Sequence, residues 1–191
     1  MGLDISTKTG YAVLEDGVLT KYGLLKAEDS DEYTLNDLNY LVRAELMANK
    51  IAFLILAENP DFIYVEQTNQ GRFKSQKLLE FIHCLFLKFV VHKSITTTTF
   101  YVDTSKWRST LQIRLTKDQK KHNKLVKGKL ARGKITPKHL VVTWANETYS
   151  QTFKKKDHDI CDAIALCKFG ELQSQVPKRD SPSIDIGLKT K

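Results

Sequence analysis

Cysteine is scarce in this 191-residue chain. The three present, Cys84, Cys161 and Cys167, are an odd number with no CxxC spacing. That argues against a disulfide framework or a zinc knuckle and leaves three reduced core thiols as the expectation. Long apolar runs are missing too: IAFLILA, one of the most apolar, is too short to span a bilayer. No basic stretch leads into an apolar one near Met1, so no signal peptide is visible and an intracellular setting is expected. Internal repeats and low-complexity tracts are also lacking. Acids nearly vanish from one segment. Between Thr104 and Lys138 there are 12 Lys or Arg and one acid, Asp118. The rest of the chain holds 18 basic and 21 acidic residues, so the whole net charge of +8 comes from that segment. Such a footprint fits a polyanionic partner.

What is present points to one globular unit. Hydrophobic residues make up 41% of the chain, enough for a single sizeable core. Met1–Ser6 reads as a buried strand, Thr7–Gly10 as a turn and Tyr11–Glu15 as a second strand. Asp16-Gly17 is a two-residue hairpin signal, and Val18–Leu25 completes a three-strand antiparallel meander. Helical spacing follows over 33–58, stopped by Asn59-Pro60. Phe62–Glu66 is a fourth strand, Ser75–His92 a second helix and Thr97–Val102 a fifth strand. An irregular basic region comes next. Thr136-Pro137 opens a helix to Tyr149, and a last helix spans Asp159–Leu172. This order gives an α/β fold with a mixed five-stranded sheet flanked by helices. A single domain is expected over residues 1–174, with a basic segment at 104–138 suited to nucleic-acid binding. Residues 175–191 have little to bury and are expected to form a mobile tail.

Four acids stand out within this frame. Asp4 lies in the apolar run GLDIS and Glu66 ends FIYVE. A lone carboxylate inside a buried strand is costly to desolvate. Asp159 and Asp162 are three apart at the mouth of a helix and share a face; Asp157 is better placed as a capping or loop acid. If the first and fourth strands are parallel neighbours, Asp4 and Glu66 lie side by side at their carboxyl ends, where open α/β sheets bind ligands. Four converging carboxylates need a counter-charge. Oxygen-only donors suit Mg²⁺ or Mn²⁺, and two such ions about 3.5–4 Å apart serve phosphodiester hydrolysis.

The segments GLDISTKTGYAV, YVEQ and DHDICDAIAL together resemble the RuvC family of Holliday-junction resolvases, which have an RNase H-like fold. The shared residues are Gly2, Asp4, Thr9, Gly10 and Tyr11, then Glu66-Gln67, then Asp159, Asp162 and Ala163. The resemblance spans residues 1 to about 170. Ile5-Ser6 replaces the Pro-Gly usual in bacterial members, and the basic segment is longer; both departures suggest a divergent phage or viral branch, with a bacterial host's cytoplasm as the expected setting if the origin is a phage. The resemblance implies a Mg²⁺-dependent homodimer that resolves four-way DNA junctions by paired nicks. Its catalytic and metal-holding residues would be Asp4, Glu66, Asp159 and Asp162, with His158 a minor rival for the third acid. It also implies a stacking aromatic after the second acid, for which Phe73, between Arg72 and Lys74, is the candidate, and a lysine near the scissile phosphate.

Independent features bear on partners. Leu78, Leu79, Phe81, Ile82, Leu85, Phe86, Leu87, Phe89 and Val90 cover more than one face of the second helix, which predicts a second subunit. Lys106, Arg108, Arg114, Lys117, Lys120, Lys121, Lys124, Lys127, Lys129, Arg132 and Lys134 are the candidates for phosphate contacts. Competing readings are a less selective branched-DNA or flap endonuclease and a non-catalytic nucleic-acid binder; the four acids disfavour a pure binder. Sugar kinases and actin-like ATPases share the opening strand but need two such domains and a longer chain.

Overall fold

A computed structural model of the protein describes residues 1–26, 36–67, 74–92, 97–126 and 133–175. Five strands form one mixed sheet: β1 (Gly2–Asp4), β2 (Lys8–Glu15), β3 (Val18–Lys26), β4 (Phe62–Glu66) and β5 (Thr98–Val102). Their order across the sheet is β3-β2-β1-β4-β5. The first three strands are antiparallel, while β4 runs parallel to both β1 and β5. This is an RNase H-like α/β topology. Asp16 and Gly17 both take left-handed φ angles, 49° and 82°, which match the twist of the β2–β3 hairpin.

Alternation along the strands sorts side chains into two layers. Leu3, Ile5, Val13, Ile63 and Val65 face α1 (Asn36–Glu58) and α2 (Lys74–His92), where they meet Met47, Ile51, Ile55, Ile82 and Phe86. Ala12, Tyr64 and Val102 face the other way, toward α5 (Pro137–Tyr149) and α6 (His158–Gln175). The last helix lies unusually close to the sheet. A Cβ on Gly2 would stand 2.1 Å from the Ala163 carbonyl oxygen, and one on Gly10 would stand 1.9 Å from that of Asp159. Only residues without a side chain let the start of α6 rest on the ends of β1 and β2.

Three local readings need correction. The first strand is shorter than Met1–Ser6, and Thr9 and Gly10 belong to β2 rather than to the turn. Thr9 is fully buried and closes that turn. Its hydroxyl donates to the Ser6 carbonyl (2.8 Å) and accepts from the Ser6 N–H (3.1 Å). The basic region is not irregular throughout, since it contains α3 (Thr104–Thr110) and α4 (Lys117–Leu125). Asp103 caps α3, and Thr116 and Gln119 form a reciprocal capping box on α4. Finally, α1 covers much of the second helix. Leu78, Ile82 and Phe86 are buried against it and the sheet, while Leu79, Phe81, Leu85, Phe89 and Val90 are partly buried. Leu87 (42% exposed) and Val91 (60%) remain as an outward stripe.

Candidate active site

Strand register brings the first two acids together. Gly2 pairs with Tyr64 and Leu3 with Val65, so continuing the parallel ladder sets Asp4 beside Glu66 on the face that carries α6. The close seat of α6 over Gly10 then lowers its first turn toward them. Asp159 and Asp162 both lie in that stretch, where the helix amino end favours negative charge. The electrostatics of Asp4 and Asp162 follow from this placement. Burial raises the Asp4 carboxyl well above the usual carboxylate range, and the charges of Asp162, Glu66 and Asp159 raise it further, in that order; Lys138 opposes them. Asp162 is 6% exposed. Burial pushes its carboxyl up to about 7 against the pull of Arg108, with Glu66 and Asp159 adding to the rise.

Most of these acids are engaged by protein groups. Glu66 is held at both oxygens: the Thr104 hydroxyl donates to Oε1 at 2.8 Å and the Trp107 indole N–H to Oε2 at 3.1 Å. Arg108 Nη2 reaches Asp162 Oδ1 at 3.4 Å. His158 Nε2 lies 2.8 Å from Asp159 Oδ1 and also meets the Lys138 ammonium. Asp157 lies outside the group and accepts from the Lys154 N–H at 2.8 Å, as a local cap. Among the described residues, no group of three or more His, Cys, Asp or Glu side chains is gathered tightly enough to hold a metal ion. The donor chemistry nonetheless fits a hard cation. Carboxylate oxygens dominate, Asp4 and Asp162 are raised by burial and further by Glu66 and Asp159, and the neighbouring Cys161 thiol is pushed up to about 12, chiefly by burial, so it offers no thiolate.

The basic residues divide around this cluster. Lys106 and Arg108 project from α3, with Lys106 6.0 Å above the Phe169 ring. Arg114 follows α3, and Lys117, Lys120, Lys121 and Lys124 lie exposed on α4. No residue of α4 is buried. The helix is fastened by Asn123, whose side-chain amide exchanges two hydrogen bonds with the Ile135 backbone (2.7 and 2.8 Å). Lys134 lies just beyond, partly buried. Lys74 is the first residue of α2. Arg72, Phe73, Lys127, Lys129 and Arg132 lie outside the described residues, as do 176–191.

Sequence reasoning missed Thr104, Trp107 and Lys138 as members of the site. One signal was available: β5 is the neighbour of β4, so the residues just after Val102 must emerge beside Glu66. Nothing in the sequence showed that Trp107 would turn its N–H inward.

A mixed β3-β2-β1-β4-β5 sheet flanked by helices is an RNase H-like α/β topology, and here Asp4 and Glu66 end the neighbouring strands β1 and β4. No family model matches the sequence, and no curated protein matches it. Solved structures do match. RuvC of T. thermophilus in complex with a Holliday-junction substrate is similar with a TM-score of 0.60 at 10% identity, over 91% of this chain and 92% of that one. A Thermus thermophilus RuvC structure gives a TM-score of 0.56 at 10% identity, over 91% and 95%. At that identity the similarity is one of fold, and it covers nearly the whole of both chains. Among the described residues no helix is long and apolar enough to cross a membrane.

Proposed function

We propose that the protein is a metal-dependent endonuclease that cuts branched DNA, resolving four-way junctions by paired hydrolysis of phosphodiesters. One observation carries the reading: the Asp4 carboxyl on β1 is raised by burial and then by the charges of Asp162, Glu66 and Asp159 from α6 and β4, as expected of a shared site in need of positive charge. Asp4, Glu66, Asp159 and Asp162 would hold the ion, Mg²⁺ or Mn²⁺, and two ions per site suit four carboxylates. The chemistry that ions held there would supply is activation of a water and stabilisation of the leaving oxygen. The chain's own groups do the rest. Thr104 and Trp107 fix both oxygens of Glu66, so that this carboxylate needs no reorientation. Arg108 keeps the Asp162 charge compensated and lies where an incoming phosphate would compete for it. The exposed cations of α3 and α4 flank the acids on one side and would track the DNA backbone.

Paired nicks require two active sites, and we assign the second to another copy of this chain docked through the Leu87 and Val91 stripe of α2. Sedimentation should give twice the 21.9 kDa of one chain, and Leu87→Asp with Val91→Asp should shift it toward monomer. A monomeric wild type at micromolar concentration removes the dimer.

The activity is tested with four-way junction, flap, fork and linear duplex in Mg²⁺ or Mn²⁺. The expected result is preferred, symmetric cutting of the junction, abolished in Asp4→Asn, Glu66→Gln and Asp162→Asn while junction binding persists. Preferred cutting of flaps would instead identify a less selective branched-DNA endonuclease. Near-normal cutting by any of the three variants would show the site to be wrongly assigned.

A further inference from the structure

Beside the acids lies a cavity of about 560 Å³ where α3, α4 and α5 meet. Its walls differ in character. Arg108, Arg114 and Lys120 supply positive charge, and Ile113, Leu115, Pro137 and Leu140 supply apolar surface; the one acid in the lining, Asp103, is engaged by the Ser105 and Lys106 N–H groups as the cap of α3. Thr104 and Arg108, which bond Glu66 and Asp162, line it as well, so the cavity opens within one side chain's reach of the acids. Its volume falls in the range of small-ligand sites, about 300–1,000 Å³.

The local backbone is arranged to build this space. Gln112 adopts a left-handed φ of 58° after α3, a conformation unfavourable for an L residue. The turn bonds the Ile113 N–H to the Arg108 carbonyl (2.8 Å), buries Ile113 and leaves Arg114 exposed at the rim. Arg114 Nη2 is steered by the Ser105 carbonyl at 3.4 Å. The Arg108 Nε is buried and has no hydrogen-bond partner among the described residues.

We propose that this cavity takes one unpaired nucleotide of the bound DNA strand, its phosphate against Arg114 and Lys120 and its base over Ile113 and Leu140. A nucleotide has the same two-sided chemistry, an anionic phosphate joined to a base with apolar faces. Guanidinium groups also stack on bases, which suits Arg108 and Arg114. A base inside a duplex must be unstacked and unpaired to enter, which is costly. At a branch point that cost is already reduced. The cavity therefore favours branched over linear DNA without reading a sequence in the grooves. This inference rests on the nuclease reading above for its position beside a scissile strand, but the cavity's affinity does not depend on cutting.

Two measurements test it. The first is equilibrium binding of deoxynucleoside monophosphates and of inorganic phosphate to the full chain, followed by amide shifts of Ile113, Arg114 and Leu140. The nucleotides should bind at least tenfold tighter than phosphate, with Arg114→Gln and the cavity-filling Leu140→Trp each weakening them about tenfold. Equal affinity for phosphate and nucleotides, or no shift at these residues, overturns the proposal. The second uses Asp4→Asn protein and junctions carrying 2-aminopurine at each position around the branch. One position should brighten severalfold on binding, and Leu140→Trp should abolish this and lower junction affinity while changing linear-duplex affinity less than threefold. Binding without brightening at any position also overturns the proposal. Failure of the nuclease reading looks different: junctions are neither cut nor preferred over duplex, while the mononucleotide result still decides the cavity.

Discussion

Adding one methyl group at Gly10 should disable the site without touching an acid. In Gly10→Ala the new Cβ would lie 1.9 Å from the Asp159 carbonyl oxygen, 2.3 Å from its carbonyl carbon and 2.9 Å from the Ile160 nitrogen. All three are backbone atoms, so no rotamer change relieves the clash. Reaching ordinary contact at 3.4 Å requires the start of α6 to retreat by about 1.5 Å. Asp159 and Asp162 move with it, away from Asp4 and Glu66. Misplacement by about 1 Å costs on the order of a hundredfold in rate, and overpacking costs about 1–3 kcal/mol of stability. Gly23→Ala is the matched control, because its Cβ would meet only the ring and hydroxyl of Tyr11, with the hydroxyl at 2.7 Å, and a side chain can swing aside. Nicking rates on a junction in Mg²⁺, together with urea unfolding, separate the two effects. We expect Gly10→Ala to remain folded, bind junctions and cut at least about thirtyfold more slowly, with Gly23→Ala near wild type. A folded Gly10→Ala protein that cuts within threefold of wild type would refute the idea that this close helix seat positions the acids.

Other consequences follow from buried groups. His83 is 8% exposed, and burial pushes its imidazole from 6.5 down to about 4. Its native value lies below its unfolded value, so its contribution to stability is complete above about pH 6.5 and is lost as pH falls toward 4. The full loss is about 3 kcal/mol. Urea unfolding between pH 7.5 and 4.5 should show a steeper decline for wild type than for His83→Gln, and parallel curves would contradict the assignment. Trp107→Phe keeps most of the packing but removes the N–H that holds Glu66 Oε2. A hydrogen bond to a charged group is worth about 1.5–3 kcal/mol, so cutting should slow by about ten- to a hundredfold at unchanged junction affinity. Rate and affinity falling together would instead make Trp107 a DNA contact.

Much of the frame was legible because its signals are local. Asp16-Gly17 marked the hairpin, Asn59-Pro60 ended α1 where the left-handed Asn59 (φ 42°) now stands, and Thr136-Pro137 opened α5. The parallel pairing that aligns Asp4 with Glu66 was a condition that the element order permitted, and the register of β1 and β4 meets it. The basic segment was harder. Lysine-rich stretches carry no apolar period, so α4, which buries nothing, gave no helical stripe; only the Thr116/Gln119 capping box betrays it. Partners distant in sequence were invisible for another reason. That Thr104 and Trp107 grip Glu66, or that α1 shields Phe86, depends on how layers stack. The close approach at Gly10 is likewise a contact across 149 positions, which a glycine in a strand can only hint at.

The most direct test of the central claim is an anomalous-scattering map from crystals grown with Mn²⁺. The account predicts a peak bounded by Asp4, Glu66 and the Asp159/Asp162 pair, absent from Asp4→Asn crystals grown the same way. A map with Mn²⁺ only elsewhere, and with Asp162 still bonded to Arg108, would contradict it.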